Sequence, residues 1–322
     1  MLNLLDSLAC FVLRGLFLVL RMLPPRWGLF FVSRLFRFFL LFMPRSFSVA
    51  EKNLRTAFPD IDNKRIREIY QASIDSFCSN LLALARTPDM NAETARATSN
   101  VEQLDAFISQ LQAETPGRGV LVATMHFSSF ERLMQCYVLL GGKLAVLARG
   151  LGLEKTDGLI DDVRESFGIR VFRRKGGLAD IIDKLKQGEN VAVLCDQNVK
   201  RNHAVFVDFF GVKAATTRAI SVAAERTGAN VAFVAAVENS DGYLDISMKR
   251  IDSPVDRTLS AHERAEQLML SVHREMEDLI RKHPEHWFWI HRRFKTRPPG
   301  LDENFYHVTK GVESTSSQLS VT

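Results

Sequence analysis

Two ionisable residues five positions apart, His126 and Glu131, could carry acid–base chemistry. An apolar run at 120–125 precedes the histidine. It is too short for a buried helix and contains β-branched residues, so it predicts a central strand covered on both faces. His126 would then lie at the carboxyl end of that strand, where open α/β sheets bind their ligands. The start of a following helix would favour a neutral imidazole, the form that accepts a proton. His126 is therefore a candidate general base.

Glu131 has a structural interpretation as well as a functional one. Ser128 is predicted to be the N-cap of the following helix, and Glu131 lies at the capping-box spacing from it. The helix is predicted from apolar residues at helical spacing, which are Leu133, Met134, Tyr137 and Val138. Glu131 could orient His126 or only close the capping box. His126 could itself be a hydrogen-bonded core histidine, and the local pattern leaves these alternatives open.

Charged residues follow three further predicted strands, at 143–147, 169–172 and 190–195. Because parallel strands end at the same edge of a sheet, these charges are predicted to lie near His126. Several basic side chains and one carboxylate at one edge could bind a phosphorylated, anionic acceptor molecule. The simpler alternative is that they are solvated loop charges. The residues are Arg149, Arg173, Arg174, Lys175 and Asp196.

Strands that alternate with helices predict an α/β fold, with a mixed, mostly parallel central sheet flanked by helices. A helix is predicted to begin near Asp62 after a connection at 44–59, and another to run from Thr216 or Thr217 to Gly228. The other predicted helices lie near 101–111, 156–167, 178–185 and 265–279, and further strands lie at 230–237 and 243–248.

The first fifty residues differ in composition from the rest of the 322-residue chain. They hold six arginines against one acidic residue, and nine of the 23 phenylalanines. Two apolar runs, 2–20 and 27–43, predict an N-terminal hydrophobic helical membrane anchor that either spans the bilayer or lies in its interface. The aromatic content favours a membrane over nucleic acid as the partner of this basic segment. A soluble helical hairpin packed on the domain is the alternative.

The predicted organisation is a membrane anchor at 1–45, one catalytic domain at 46–300 and a disordered tail at 301–322. The chain lacks a G-x-S-x-G elbow, a complete dinucleotide fingerprint and a P-loop, so hydrolase, dehydrogenase and P-loop classes are not supported. Its histidines and cysteines show no metal-ligand spacing, and neither a metal nor a cofactor is expected. Four widely spaced cysteines are predicted to be reduced and buried, at Cys10, Cys78, Cys136 and Cys195.

His126 and Glu131 match the H-x4-[DE] motif of the bacterial lipid A biosynthesis (lauroyl/myristoyl) acyltransferases, which are related to the glycerophosphate acyltransferases. The chain resembles that family from about Leu2 to Gly300, because the same order of features recurs. These are the apolar N-terminus, Asp196-Gln197, VFVDFFG at 205–211 followed by ATT at 215–217, and WFWIHRRFKTRP at 287–298.

The resemblance implies an acyltransferase in which His126, oriented by Glu131, deprotonates a hydroxyl that attacks an acyl thioester. By the same resemblance, the family's substrate-binding positions correspond to Arg149, Arg174, Lys175, Asp196 and Gln197. Relatives often have Asn-Pro shortly after the first of these arginines, where this chain has GLGLEK at 150–155.

The implied donor is an acyl carrier protein thioester or acyl-CoA, and the implied acceptor is a lipid A precursor at the cytoplasmic face of the inner membrane. Another membrane glycolipid or phospholipid acceptor is the alternative, as is a non-catalytic lipid-binding protein on the same fold. A Cys195 thiolate that accepts the acyl group is a rival mechanism, opposed by its apolar surroundings. The aromatic run 287–289 is predicted to be core, with Arg292, Arg293, Lys295 and Arg297 exposed beside it.

Overall fold

The computed structural model describes residues 2–148, 150, 152–173, 177–254, 256, 258–301 and 304–306. Its centre is a six-stranded sheet. The strands are β1 (Leu121–Thr124), β2 (Leu144–Ala148), β3 (Ile169–Arg173), β4 (Asn190–Leu194), β7 (Val231–Glu238) and β8 (Leu244–Ile251). Their order in the sheet is β3-β2-β4-β1-β7-β8, and all are parallel except the edge strand β8. This confirms the predicted α/β class with a mostly parallel sheet.

Helices cover both faces of this sheet. Strand β1 is buried at every position, because its alternate side chains face different helical layers. The helices are α1 (Leu2–Met22), α2 (Pro25–Leu41), α3 (Arg45–Ala57), α4 (Asn63–Ala85), α5 (Ala92–Ala97), α6 (Val101–Glu114), α7 (Phe130–Leu139), α8 (Glu154–Ser166), α9 (Gly177–Lys186), α10 (Ala219–Thr227) and α11 (Ala261–Lys282). Helices α6 and α7 lie on one face, and α4, α9, α10 and α11 contribute to the core on the other.

A separate antiparallel hairpin pairs β5 (Ala204–Phe209) with β6 (Val212–Thr217). Its two turn residues, Phe210 and Gly211, both have positive φ, 53° and 76°, as a type I′ turn requires. The predicted start of a helix at Thr216 or Thr217 is wrong, because both residues belong to β6 and the helix begins at Ala219.

The N-terminal helices pack on α4. Val32 of α2 and Leu20 of α1 are buried, and Gly28 lies so close to α4 that an added Cβ would be 3.0 Å from Leu82. The segment predicted as a connection at 44–59 contains helix α3. Helix α1 is long and apolar enough to cross a membrane, so the N-terminus is a candidate membrane anchor.

Part of the predicted tail contacts the domain. The ring of Phe305 packs on Phe294 with their centroids 5.0 Å apart. The Tyr306 hydroxyl donates to Asn53 Oδ1 at 2.7 Å and accepts the Phe294 backbone N–H at 3.0 Å. The rest of the tail, from residue 307, lies outside the described residues, so its predicted disorder stays a prediction.

Arg293 was predicted to be exposed, and this prediction is wrong. Its side chain is fully buried. The guanidinium donates to the Ala215 carbonyl at 2.6 Å and to the Gln197 carbonyl at 3.2 Å, and it lies 2.8 Å from His273 Nε2. These contacts join the hairpin, the chain after β4 and helix α11. Trp287 and Trp289 are buried as predicted.

Burial, together with the nearby Arg293 charge, lowers the pKa of His273 to about 3. An unfolded histidine binds a proton near pH 6.5 while the folded one does not, so stability should decrease as pH falls from about 6.5 towards 3. One proton corresponds to a slope of up to about 1.4 kcal/mol per pH unit. Urea unfolding at several pH values measures this slope. His273→Gln should show a smaller slope, and an unchanged slope would contradict the assignment to His273.

Candidate active site

His126 lies two residues beyond the end of β1, at the carboxyl edge of the parallel strands. Its side chain is 23% exposed, and its ring meets the edge of Phe130 at a centroid distance of 5.3 Å. Strand β4, next to β1 in the sheet, ends at Leu194 and brings Asp196 to the same edge. The predicted convergence of His126 and Asp196 is therefore present.

The Asp196 carboxylate bonds His126 twice. Oδ1 lies 2.9 Å from the imidazole Nδ1, and Oδ2 accepts the His126 backbone N–H at 3.2 Å. The indole Nε1 of Trp287 donates to the same Oδ2 at 3.0 Å. The carboxylate is thus held by three donors, and it holds the imidazole in one orientation.

Asp196 is buried, which by itself would raise the pKa of its carboxyl group. The charge and hydrogen bond of His126, and the hydrogen bond of Trp287, outweigh burial and hold the pKa at about 2. Asp196 is therefore ionised at neutral pH. A carboxylate at Nδ1 stabilises the imidazolium that forms when the other ring nitrogen takes a proton.

The second ring nitrogen of His126 faces Gln197, whose Nε2 lies 3.4 Å away. An amide nitrogen can only donate, so this contact fits an unprotonated imidazole Nε2. The Asp196 contact requires the proton on Nδ1, and both neighbours thus favour the same tautomer. That tautomer presents a lone pair on Nε2, as a general base requires.

Glu131 is also buried, but its carboxylate pairs with Arg164 of α8, with Nε 3.2 Å from Oε2 and a second, shorter contact through Nη2. Helix α7 begins at Phe130 with Ser129 at the N-cap, so the predicted capping box from Ser128 is wrong. The ion pair instead links the first turn of α7 to α8. Asp196, rather than Glu131, contacts the His126 ring.

Asn80 of α4 shapes the turn between His126 and α7. Its Oδ1 accepts the Glu131 backbone N–H at 3.0 Å, and its Nδ2 donates to the Ser128 carbonyl at 2.7 Å. Ser128 has a φ of 46°, a left-handed conformation that the surrounding bonds must stabilise. Its N–H donates to the His286 carbonyl at 2.9 Å, and its Oγ accepts from the Glu238 N–H at 2.9 Å.

Arg149, Arg174 and Lys175 lie outside the described residues, so their predicted role in binding stays a prediction. Strands β2 and β3, which precede them, end at the same edge of the sheet as β1 and β4. Cys195 is described and buried, and burial raises the pKa of its thiol, which disfavours the thiolate.

An apolar cavity lies between α7 and the sheet. Thr124, Phe130 and Leu194 line it at the edge of the sheet where His126 lies, and Tyr137 and Asn190 line it at the opposite end. Asn190 Nδ2 donates to the Tyr137 hydroxyl at 2.8 Å, which closes that end with polar groups. The free space is about 40 Å³, room for a few water molecules at most, so a larger ligand enters only when side chains move.

A histidine with a buried carboxylate partner, next to an apolar cavity at the carboxyl edge of an α/β sheet, is an arrangement suited to transferring an apolar group to a hydroxyl. The family model for bacterial lipid A biosynthesis acyltransferases matches residues 2–296. The chain belongs to this family and is an acyltransferase, which confirms the resemblance inferred from its motifs.

Three relatives illustrate the range of similarity. The chain is 30% identical to the lipid A biosynthesis palmitoleoyltransferase of Escherichia coli K12 over 275 residues, which cover 80% of this chain and 82% of the relative. It is 27% identical to the lauroyltransferase of the same organism over 280 residues, 83% and 84% of the two chains. It is 30% identical to the myristoyltransferase over 160 residues, 50% and 48% of the two.

Proposed function

We propose that His126 is the general base in direct transfer of an acyl group from a thioester to a lipid hydroxyl. His126 Nε2 removes the hydroxyl proton, and the oxygen attacks the thioester carbonyl. The carbon–sulfur bond then breaks, and the leaving thiolate takes the proton from the imidazolium. The observation that carries this proposal is the Asp196–His126 contact of 2.9 Å, which supports the required tautomer.

The two buried carboxylates have different roles in this proposal. Asp196 orients His126 and stabilises its charge when it takes a proton. The Glu131–Arg164 pair positions the first turn of α7 against α8 and so acts on His126 through the backbone. Glu131 as the direct partner of the base, expected from the family motif, is the alternative that the variants in the Discussion separate.

The proposed acceptor is a lipid A precursor, because the relatives are named for lipid A biosynthesis. The proposed donor is an acyl carrier protein thioester or acyl-CoA, and the proposed location is the inner membrane with the catalytic domain facing the cytoplasm. Arg149, Arg174, Lys175 and Gln197 are proposed to bind substrate at the edge of the sheet that holds His126 and Asp196, the catalytic edge of this proposal. Phosphate groups on the acceptor would suit these basic side chains.

Mass spectrometry of membrane lipids tests this function. Cells that contain the chain should hold a lipid A species with one more acyl group than cells without it. The His126→Ala chain at equal abundance is the matched control, and it should give the lipid profile of cells without the protein. If the additional acyl group appears on a phospholipid instead, the acceptor is a phospholipid and not a lipid A precursor. If the unaltered and the His126→Ala chains change the lipids equally, the protein is a non-catalytic lipid-binding protein.

We further propose that the donor's acyl chain occupies the cavity between α7 and the sheet. Phe130, whose ring contacts His126, lines one end of the cavity. From there the cavity follows β4 from Leu194 to Asn190, a length of about 13 Å at about 3.3 Å per residue. Met134 also lines it, and an unbranched thioether side chain can change rotamer to admit a ligand. The Tyr137–Asn190 hydrogen bond would then limit chain length.

Ala192→Val should reduce kcat/KM for the longest accepted acyl donor about tenfold relative to shorter donors, since a carbon more or less in an apolar pocket changes discrimination by that order. Ala192 lines the cavity beside Val122. Ala232 pairs with Val122 on the other neighbouring strand, β7, and does not line the cavity. Ala232→Val is therefore the matched control. A series of donors measures both variants, and equal changes in the two would contradict the assignment.

A further inference from the structure

Helix α1 has the length of a membrane span. Its 21 residues extend about 31 Å, close to the hydrocarbon thickness of a bilayer. A spanning helix would carry one end to the far side of the membrane, away from the domain that follows. The contacts at its two ends are therefore decisive, and both are made with the same domain.

The first end is bound by a buried carboxylate. Asp6 is 6% exposed and accepts the backbone N–H groups of Lys155 at 2.8 Å and Thr156 at 3.1 Å, and the Thr156 hydroxyl at 2.9 Å. Lys155 Nζ donates in turn to Ser7 Oγ at 2.7 Å. Helix α8 begins after Leu153, which has no side-chain oxygen, so Asp6 supplies the N-terminal cap of α8. This cap lies beyond the end of β2, on the catalytic side of the sheet.

The second end is bound near the end of α4. Arg86 Nη1 donates to the Leu23 carbonyl at 2.9 Å, and Arg21 lies 3.7 Å from Asp89. Between the ends, Phe17 and Leu20 are buried against the domain. Both ends of α1 are thus fixed to one face of the catalytic domain, so the helix lies along that domain rather than projecting from it.

The outer face of α1 and α2 is apolar with a basic fringe. Arg14, Arg26 and Arg34 are exposed, and Asp6 is the single acidic residue in the first fifty positions. Because Asp6 is buried, the net positive charge of this segment faces outwards and complements anionic lipid. The exposed apolar side chains include Leu8, Phe11 and Leu18 of α1 and Trp27, Phe30 and Phe38 of α2.

We propose that α1 and α2 lie in one leaflet of an anionic bilayer, parallel to its plane, and that α1 does not cross the membrane. The start of the chain then lies on the same side of the membrane as the catalytic edge. The Asp6 cap also places that edge next to the lipid surface, from which a lipid acceptor could enter sideways. The membrane geometry is independent of the proposed acyl transfer and is tested without an activity assay.

Cysteine labelling in sealed membrane vesicles of known orientation tests the geometry. One variant carries a hydrophilic N-terminal tag with a single cysteine, and the other carries Ser240→Cys, an exposed position after β7. The four native cysteines are buried and give little background. A membrane-impermeant maleimide should label both variants from the same side. Labelling from opposite sides would show that α1 spans the membrane. Loss of the protein in a physiological-salt wash would show that the bilayer does not cover the apolar face of α1 and α2. Either result overturns the proposal.

Flotation with full-length protein at limiting lipid tests the chemistry of the surface. Vesicles that contain anionic phosphatidylglycerol should bind more protein than phosphatidylcholine vesicles. Arg26→Gln should weaken binding to the anionic vesicles on the order of fivefold, the contribution of one basic residue near such a surface. Arg226→Gln, an exposed position on α10, is the control and should bind as the unaltered protein does. Equal binding to both vesicle types would contradict the proposed attraction between the basic N-terminal segment and anionic lipid.

Discussion

Replacing His126 with alanine is expected to lower kcat by a factor on the order of 10²–10⁴, the usual contribution of a positioned general base. The change removes the nitrogen proposed to take the hydroxyl proton and leaves the cavity between α7 and the sheet in place. KM for the donor should therefore change much less than kcat. Steady-state kinetics with one purified donor and one acceptor, together with the melting temperature, provides the measurement.

Cys195→Ala is the matched control for this variant. Cys195 is buried, directly after the end of β4 and one residue before Asp196, and burial disfavours its thiolate. The variant should keep most activity if transfer is direct. Intact-protein mass spectrometry that detects an acyl group on Cys195, with loss of activity in Cys195→Ala, would replace direct transfer by a covalent mechanism.

Asp196→Asn is expected to lower kcat on the order of 10⁴-fold, the effect of the same change in a serine protease triad. The amide keeps the size of the side chain but removes its charge. Two donors, the His126 backbone N–H and Trp287 Nε1, hold the Oδ2 position, so the amide oxygen would take that place. The NH₂ group would then face His126 Nδ1, which favours the wrong imidazole tautomer. If Asp196 acts through His126 as proposed, the change should appear in kcat and in the pH–rate profile rather than in KM. Normal turnover in a folded Asp196→Asn protein would exclude this positioning role.

Glu131→Gln is the variant to compare with it. It leaves Arg164 charged without its buried partner, and breaking a buried pair costs about 3–5 kcal/mol. Arg164 keeps some exposure, so a loss of about 3 kcal/mol is expected, together with a smaller fall in kcat than in Asp196→Asn. If Glu131 instead supplies the charge that stabilises His126, kcat should fall as far as in Asp196→Asn while the melting temperature changes little.

The sequence was sufficient to predict the parallel sheet and the meeting of His126 with Asp196. Short apolar runs alternate with amphipathic helices, and parallel strands end at one edge, so residues that follow neighbouring strands converge. Hydrogen-bond partners were less predictable. Glu131 has the spacing of a capping box, but its partner Arg164 comes from a helix 33 positions later. Local spacing cannot show which of two buried carboxylates reaches the imidazole.

Residues that support the site from afar were missed for the same reason. Asn80 lies on a predicted amphipathic helix with nothing to mark its contact with the turn after β1. Arg293 stands in a run of basic residues, which normally indicates exposure, yet carbonyl groups from the hairpin and the chain after β4 surround it. The hairpin itself lacks the usual Asn-Gly turn signal and uses Phe210-Gly211.

The indole of Trp287 bonds a carboxylate 91 positions earlier, and that order along the chain has a consequence during synthesis. Chains are made from the N-terminus, and early segments begin to fold while later ones are still absent. The apolar N-terminal helices can therefore meet lipid before the indole that completes the Asp196 environment has been translated. His291 Nε2, which accepts the Asn198 N–H at 3.0 Å, arrives with it. A nascent chain at the membrane is thus expected to be inactive until this last segment is released and docks.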